Sequence, residues 1–373
     1  RAGGRRGGSG GIDRRGRLWA GTLDGLNAVS KGQDSPSPLP GSRLRRLDSF
    51  GLGSSLTSFP LGAVYACKSF PLPMSAGSAV TVESLWFTST SGLAGLIGDE
   101  WLLFQRGSGL PAAGTTAVAV DAHGYLWLGT HREGLLRSRE PLTVARLRQL
   151  SVPAKGAREI RAPLFDPIWN RDRGAPSDIV RNLVSVAGEM WVATAAGIAV
   201  LGGEPPVVRA LLDQGTGLGG DNVFSMSRSP AGTLWVAQSN GLAEVDPRAR
   251  RVLRTVSKAE GLIDNEAWSY GSVGVAEDGT VLLATPRGVG LYRPWLDFKN
   301  TLPPPVRLRQ VSFRQDWSGD NELAVEYAAL SFAAADGVRF RTRLVGYEDQ
   351  WSPETQVASL RYTNLPALLF SRS

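Results

Sequence analysis

A short unit containing tryptophan recurs along the chain as far as Pro294, and no other feature limits the fold as strongly. It reads LWAGTLDGL at Trp19, LWFTSTSGL at Trp86, LWLGTHREGL at Trp127, MWVATAAGI at Trp191 and LWVAQSNGL at Trp235. A sixth copy, VLLATPRGV, puts Leu282 in the tryptophan position. Spacings of 41, 44 and 47 residues separate three neighbouring pairs, with 67 and 64 for the other two. A repeat of about 40 to 45 residues with several short strands is the period of a four-stranded propeller blade.

Glycine marks both ends of the unit. Gly16, Gly124, Gly188, Gly232 and Gly279 stand three residues before the key position, and Gly25, Gly92, Gly197, Gly241 and Gly288 six after it. In the third copy the second glycine is displaced by one, to Gly134. Asp13 and Asp121 each precede the first glycine by three, the Asp-to-Gly spacing of a type I turn. Each unit therefore predicts strand, turn, strand with Trp, tight turn and strand, closed by a segment such as ARLRQLS or RRVLRTVS. A tryptophan at one fixed place in every unit is expected to fill the gap between sheets; a ligand platform would break the symmetry.

The repeat falters in three places. In the second copy Glu83 replaces the first glycine, and residues 49–82, rich in Ser, Pro and Leu, read as an insertion, a degenerate half blade or a corrupted segment. A stretch of about twenty residues before the fourth copy, including LFDPIWNRDRGAPSD, reads as a long loop. The first copy has Gly, Arg and Ser where an opening strand belongs, so residues 1–11 are expected to be a disordered tail and the first blade to be cut short.

After Pro294 the repeat stops. Pro303, Pro304 and Pro305 predict a linker over 300–305, with the propeller over 12–299. Beyond it VRLRQVSF, NELAVEYAALSF, VRFRTRLVGY and SLRYTNL alternate as strands of an immunoglobulin-like β-sandwich over 306–373, too few to complete one. The expected class is all-β, with six recognisable blades, seven in the intact protein, then an incomplete sandwich.

Composition then excludes functions. Cys67, His123 and His131 are the only Cys and His, too few for a Cys/His zinc site, a disulfide framework or a CxxC pair. Carboxylates lack D-x-D clustering, so neither metal nor cofactor is expected. No apolar run is long enough to span a membrane. The net charge of +7 suggests an anionic partner, yet residues 1–17 carry +5 of it. The remaining arginines are dispersed and not interleaved with aromatics, so no nucleic-acid role is expected. His123 and His131 both fall in turns, as exposed residues without a nucleophile or carboxylate pattern nearby, and no catalytic residue is assigned.

The D-x-x-G-x-L-W-h-x-T-x-x-G-L units (h apolar), the intervening Gly109-Leu110, Gly217-Leu218 and Gly261-Leu262 pairs and the exit GLYRP resemble two-component regulator propeller repeats. ELAVEYAALSF, RFRTRLVGYEDQW and RYTNLP are similar to the three-tyrosine domain that follows such propellers, with Phe340 where the family has Tyr and Tyr362 matching. The resemblance implies the periplasmic sensor region of a bacterial hybrid histidine kinase or diguanylate cyclase. It implies an unknown small-molecule or carbohydrate ligand, a membrane helix and an output domain outside this chain, and leaves a homodimer open. The expected module is no enzyme. The alternatives are a propeller enzyme, a polysaccharide lyase or glycosidase using funnel carboxylates, and a protein-interaction scaffold. Trp169, Asn170, Arg171 and Arg173 are the ligand-binding candidates, because their loop breaks the repeat and joins an aromatic to guanidinium groups.

Overall fold

The computed structural model describes residues 63–104, 106–112, 114–154, 157–268, 270–297, 304–315, 321–329 and 338–365, with backbone strands also at 7–12, 18–22, 25–29 and 45–46. The chain divides into two compact units, Arg1–Pro294 and Trp295–Ser373. Nearly all regular structure is β, as the repeat predicts.

Among the described residues the first unit holds six sheets in chain order, antiparallel but for one pairing in the second, which we name blades A to F. Blade A comprises β1 (Gly7–Ile12), β2 (Leu18–Thr22), β3 (Gly25–Val29) and β4 (Arg45–Arg46). Blade B begins with β5 (Val64–Pro73), β6 (Thr81–Ser89), β7 (Gly92–Ile97) and β8 (Glu100–Phe104). Blade C contains β9 (Thr115–Val120), β10 (Leu126–Thr130) and β11 (Leu135–Ser138); its outer strand is β14 (Phe165–Trp169). Between β11 and β14 lie helix α1 (Val144–Leu150) and the hairpin β12 (Ser151–Ala154) and β13 (Ala157–Ile160). Blade D is β15 (Val180–Val186), β16 (Glu189–Thr194), β17 (Gly197–Gly202) and β18 (Val207–Leu212). Blade E is β19 (Val223–Arg228), β20 (Leu234–Gln238), β21 (Gly241–Asp246) and β22 (Arg251–Val256). Among the described residues blade F has three strands, β23 (Val273–Val275), β24 (Val281–Thr285) and β25 (Gly288–Tyr292). The first strand of each blade packs on the first strand of the next, from β1 through β5, β9, β15 and β19 to β23. Those six strands therefore surround the propeller axis.

The repeat residues explain the blade. Trp86, Trp191 and Trp235 are at most 1% exposed and Trp127 is nearly so, each between sheets among aliphatic side chains. Leu282 is 37% exposed, so blade F lacks the cover its counterparts enjoy; the Trp19 side chain lies outside the described residues. Asp121 accepts hydrogen bonds from the backbone N–H groups of His123 and Tyr125 and from Trp127 Nε1 at 2.7 Å, tying turn to core. Thr130, Thr194 and Thr285 each donate a hydroxyl to the carbonyl of the following turn glycine, Gly134, Gly197 and Gly288. At Gly241 φ is +90° and a Cβ would sit 2.2 Å from the Val256 carbonyl oxygen, which only glycine avoids. The Gly-Leu pairs are anchors: Gly217 and Gly261 close 3-10 turns in the left-handed region, and Leu110, Leu218 and Leu262 are buried beside them.

Four expectations about the strands of the first unit change. Gly7–Ile12, assigned to a disordered tail and a missing strand, pairs with Leu18–Thr22 as β1; backbone bonds suffice for a strand whose side chains are almost all hydrogen. ARLRQLS, expected as the closing strand of its blade, is mostly α1: Thr143 caps it by accepting from the Arg146 N–H, and Val144 and Leu147 bury one face. The "long loop" before the fourth copy supplies β14, so the true insertion lies earlier, over α1, β12 and β13. That hairpin joins blade B through a parallel pairing of β13 with β8, making a six-stranded sheet. Part of 49–82, Val64–Pro73, is the first strand of blade B; residues 49–62 lie outside the described residues.

The second unit contains one described sheet, β26 (Val306–Gln315), β27 (Asn321–Ala329) and β28 (Ser359–Leu365), with β27 central. VRFRTRLVGY, expected as a strand, does not join it. Phe340 instead bridges Thr355 and the Ser352 N–H donates to the Thr342 carbonyl, folding 340–355 back on itself. Its side chains lie against the sheet: Phe340 meets Tyr327 edge to face at 4.9 Å, and the Tyr362 hydroxyl donates to Glu348 at 2.7 Å.

Candidate functional site at the propeller axis

The first strands of blades B to E share an irregularity. Register shifts fall between Val64 and Ala66, Thr115 and Ala117, Val180 and Asn182, and Val223 and Ser225, each opposite the end of the second strand. Each leaves one residue out of the ladder: Tyr65, Thr116, Arg181 and Phe224. A β-bulge re-aims the side chain of its extra residue. Because the four first strands ring the axis, these bulges bring unlike side chains toward one place.

Two further residues reach them. His131 sits in the turn after β10, and Tyr270 precedes β23. Tyr65 and Tyr270 rings lie 4.9 Å apart, Tyr65 and His131 5.2 Å apart edge to face, and His131 and Tyr270 5.6 Å apart edge to face. The Tyr270 hydroxyl is 3.1 Å from His131 Nε2. The Arg181 guanidinium stands over the Phe224 ring at 4.8 Å and near the Tyr270 ring at 5.9 Å. Blades B, C, D, E and F thus each contribute one side chain to a mutual contact, which is possible only at the axis.

The electrostatics are one-sided. Burial lowers the Arg181 pKa, and its Nε is buried without a hydrogen-bond partner. Burial first, then the Arg181 and Arg132 cations, lower the His131 pKa, so the imidazole is neutral at pH 7. Burial pushes the Tyr270 phenol up to about 12. One cation, one neutral imidazole and two protonated phenols meet, and no carboxylate figures among the groups that shift them. Among the described residues no cluster of His, Cys, Asp and Glu could hold a metal.

The residues singled out from sequence lie elsewhere. Trp169 is buried in the core between blades C and D, Asn170 accepts from the Arg173 N–H as the cap of a 3-10 turn, and Arg171 and Arg173 are exposed. The Arg173 guanidinium donates to the Pro167 carbonyl and the Arg171 N–H to Asp178, so backbone geometry accounts for this loop. His123 is exposed in its turn, whereas His131, also expected to be exposed, is half-buried against two tyrosines. Sequence reasoning missed Tyr65, Arg181, Phe224 and Tyr270. Their signal is faint: Arg181 and Phe224 stand ten or eleven residues before the blade tryptophan, a place where the copies agree on nothing.

No protein-family model and no curated protein matches the chain. Among solved structures, the extracellular domain of BT3049 from B. thetaiotaomicron, assigned to a hybrid two component system, matches with a TM-score of 0.61 at 14% identity, over 97% of this chain and 52% of that one. That of BT4673, assigned to a one component system of the same organism, matches at 0.48 and 15% identity, over 98% and 52%. A virginiamycin B lyase from Staphylococcus aureus matches at 0.43 and 8%, over 87% and 91%. The chain spans about half the length of the first two structures. At 14% identity the first match shows a shared fold alone; the series of blade-like sheets and the further β unit are seen in this chain's own strands, as the repeats predict.

Proposed function

We propose that this chain is the ligand-sensing region of a bacterial two-component or cyclic-dinucleotide signalling protein, placed outside the cytoplasm and built of regulator propeller repeats and a three-tyrosine domain. The observation that carries this reading is the likeness in fold, over 97% of the chain, to the extracellular domain of a protein assigned to a hybrid two component system. A small-molecule or carbohydrate ligand enters the propeller at the axial cluster, and a shift in packing passes toward a transmembrane helix and an output domain. A second copy of the chain would stand beside the first in such a receptor.

The axial cluster supports binding over turnover by paired carboxylates, since its members are aromatic, imidazole and guanidinium groups. The glycosidase alternative requires two acids flanking a bond. Reading the gene on both sides of this segment tests the proposal. A membrane helix after the second unit, followed by a kinase or cyclase, is the expected result. A reading frame that encodes neither overturns it.

A further inference from the structure

We infer that the axial cluster is a binding site for a ring-bearing monocarboxylate, with Arg181 as the anion anchor and Tyr65, Phe224 and Tyr270 as walls. This deepens the sensor reading by naming the ligand chemistry, and it rests on that reading only for its biological purpose.

Three observations lead to it. Arg181 is drawn out of water, and among the described residues no acid pairs with it: the electrostatic influence on it comes from Tyr270, and its Nε has no partner. Half-buried guanidinium groups are ordinarily paired, because desolvation is costly without a counter-charge. Here the ring faces of Phe224 and Tyr270 hold the group in place, and a carboxylate matches its fork of donors. Arg181 is the desolvated cation of the contact, while Arg132, which also acts on His131, is exposed; a single buried cation fits a carboxylate better than a phosphate dianion.

The surroundings define the remainder of the ligand. Tyr65 and Tyr270 pack ring to ring and the Phe224 ring lies under the Arg181 guanidinium, so a ring-bearing ligand would enter by stacking against this aromatic group. The two phenols and His131 add hydrogen-bonding groups for ring hydroxyls. The position in the repeat is equally informative. The tryptophans recur because packing requires them in every blade, while the bulge places Tyr, Thr, Arg and Phe at equivalent points. Packing alone gives no reason for that variety.

Such a ring is either saturated and hydroxylated or aromatic, and titration calorimetry of the whole chain at pH 7 separates these sources. The probes are glucuronate against glucose, and 4-hydroxybenzoate against phenol. At least one acid should bind, tenfold or more tighter than its neutral counterpart. Arg181→Gln should weaken that acid at least tenfold with the melting temperature retained, and Arg181→Lys should restore part of the loss. If Arg181→Gln does not fold, Arg181→Lys and Phe224→Leu carry the test, each weakening the acid more than the neutral compound. Failure of both acids to bind, equal affinity for acid and neutral forms, or variants that bind the acid undiminished would overturn the inference. A neutral sugar bound at the axis would overturn it while leaving the sensor reading standing.

Discussion

His131 gives the axial cluster a pH dependence of known sign. Its folded-state pKa is depressed by burial and by the Arg181 and Arg132 cations, so the unfolded chain binds a proton more readily near pH 6. The stability held by the neutral imidazole is therefore present above the unfolded value of about 6.5 and is lost as pH falls from there toward the folded pKa. Melting temperatures measured from pH 7.5 to 5 should fall less for His131→Gln than for the native chain. Equal slopes would place His131 in water. Two glycines offer a contrast at the same scale. Gly232 (φ +88°) has open space where a Cβ would stand, whereas at Gly241 the Val256 carbonyl is 2.2 Å away. Gly232→Ala should cost about 1 kcal/mol of left-handed strain and Gly241→Ala at least about 3 kcal/mol in denaturant unfolding. Trp235→Ala, which empties a site 1% exposed, should cost about 3–5 kcal/mol.

Among the elements, what the sequence reveals follows from what repeats. The blade tryptophans, the turn glycines and the Gly-Leu anchors are legible because identical surroundings demand the same residue in several copies. The bulges are not, since Tyr65, Arg181 and Phe224 interrupt the alternation that identifies a strand, and their convergence exists only once the blades surround an axis. His131 was misjudged for a related reason: a turn after LWLGT reads as exposed, and its packing partners lie in blades B and F. ARLRQLS misled because Arg, Leu and Gln alternate well enough for a strand, whereas a Thr143 cap and buried Val144 and Leu147 decide for helix. Thr143→Ala should therefore cost about 1 kcal/mol. Since α1 leads into the hairpin that extends blade B, amide exchange should rise in β12 and β13 as well as in α1. A loss of protection confined to α1 would separate helix and hairpin into independent pieces.

At the scale of the molecule, a propeller is a series of sheets each held by its own strands and its neighbours, so its stability is uneven wherever one sheet is thinner. Blade D shows the cover a four-stranded blade gives its middle, with β17 buried at every position. Blade F is the opposite: three strands, Leu282 in place of tryptophan at 37% exposed, and Val289 and Leu291 on β25 at 63% and 62%. Besides the core it shares with blade E, it reaches the centre through Tyr270, which precedes β23 and touches both Tyr65 and His131 across the axis. Hydrogen exchange read by mass spectrometry should show β24 and β25 opening before β16 and β17, at a free energy below global unfolding. Tyr270→Ala should widen that gap by removing the ring contacts, whereas Tyr270→Phe, which keeps the ring and gives up only the hydroxyl contact with His131, should leave it nearly unchanged. A ligand seated among Tyr65, Arg181 and Tyr270 would join blades B, D and F and narrow the same gap, so a slowing of exchange in blade F becomes a readout of occupancy that needs no knowledge of the output domain. Uniform protection across all blades, with or without ligand, would mean that the axial contacts do not govern the order in which the propeller opens.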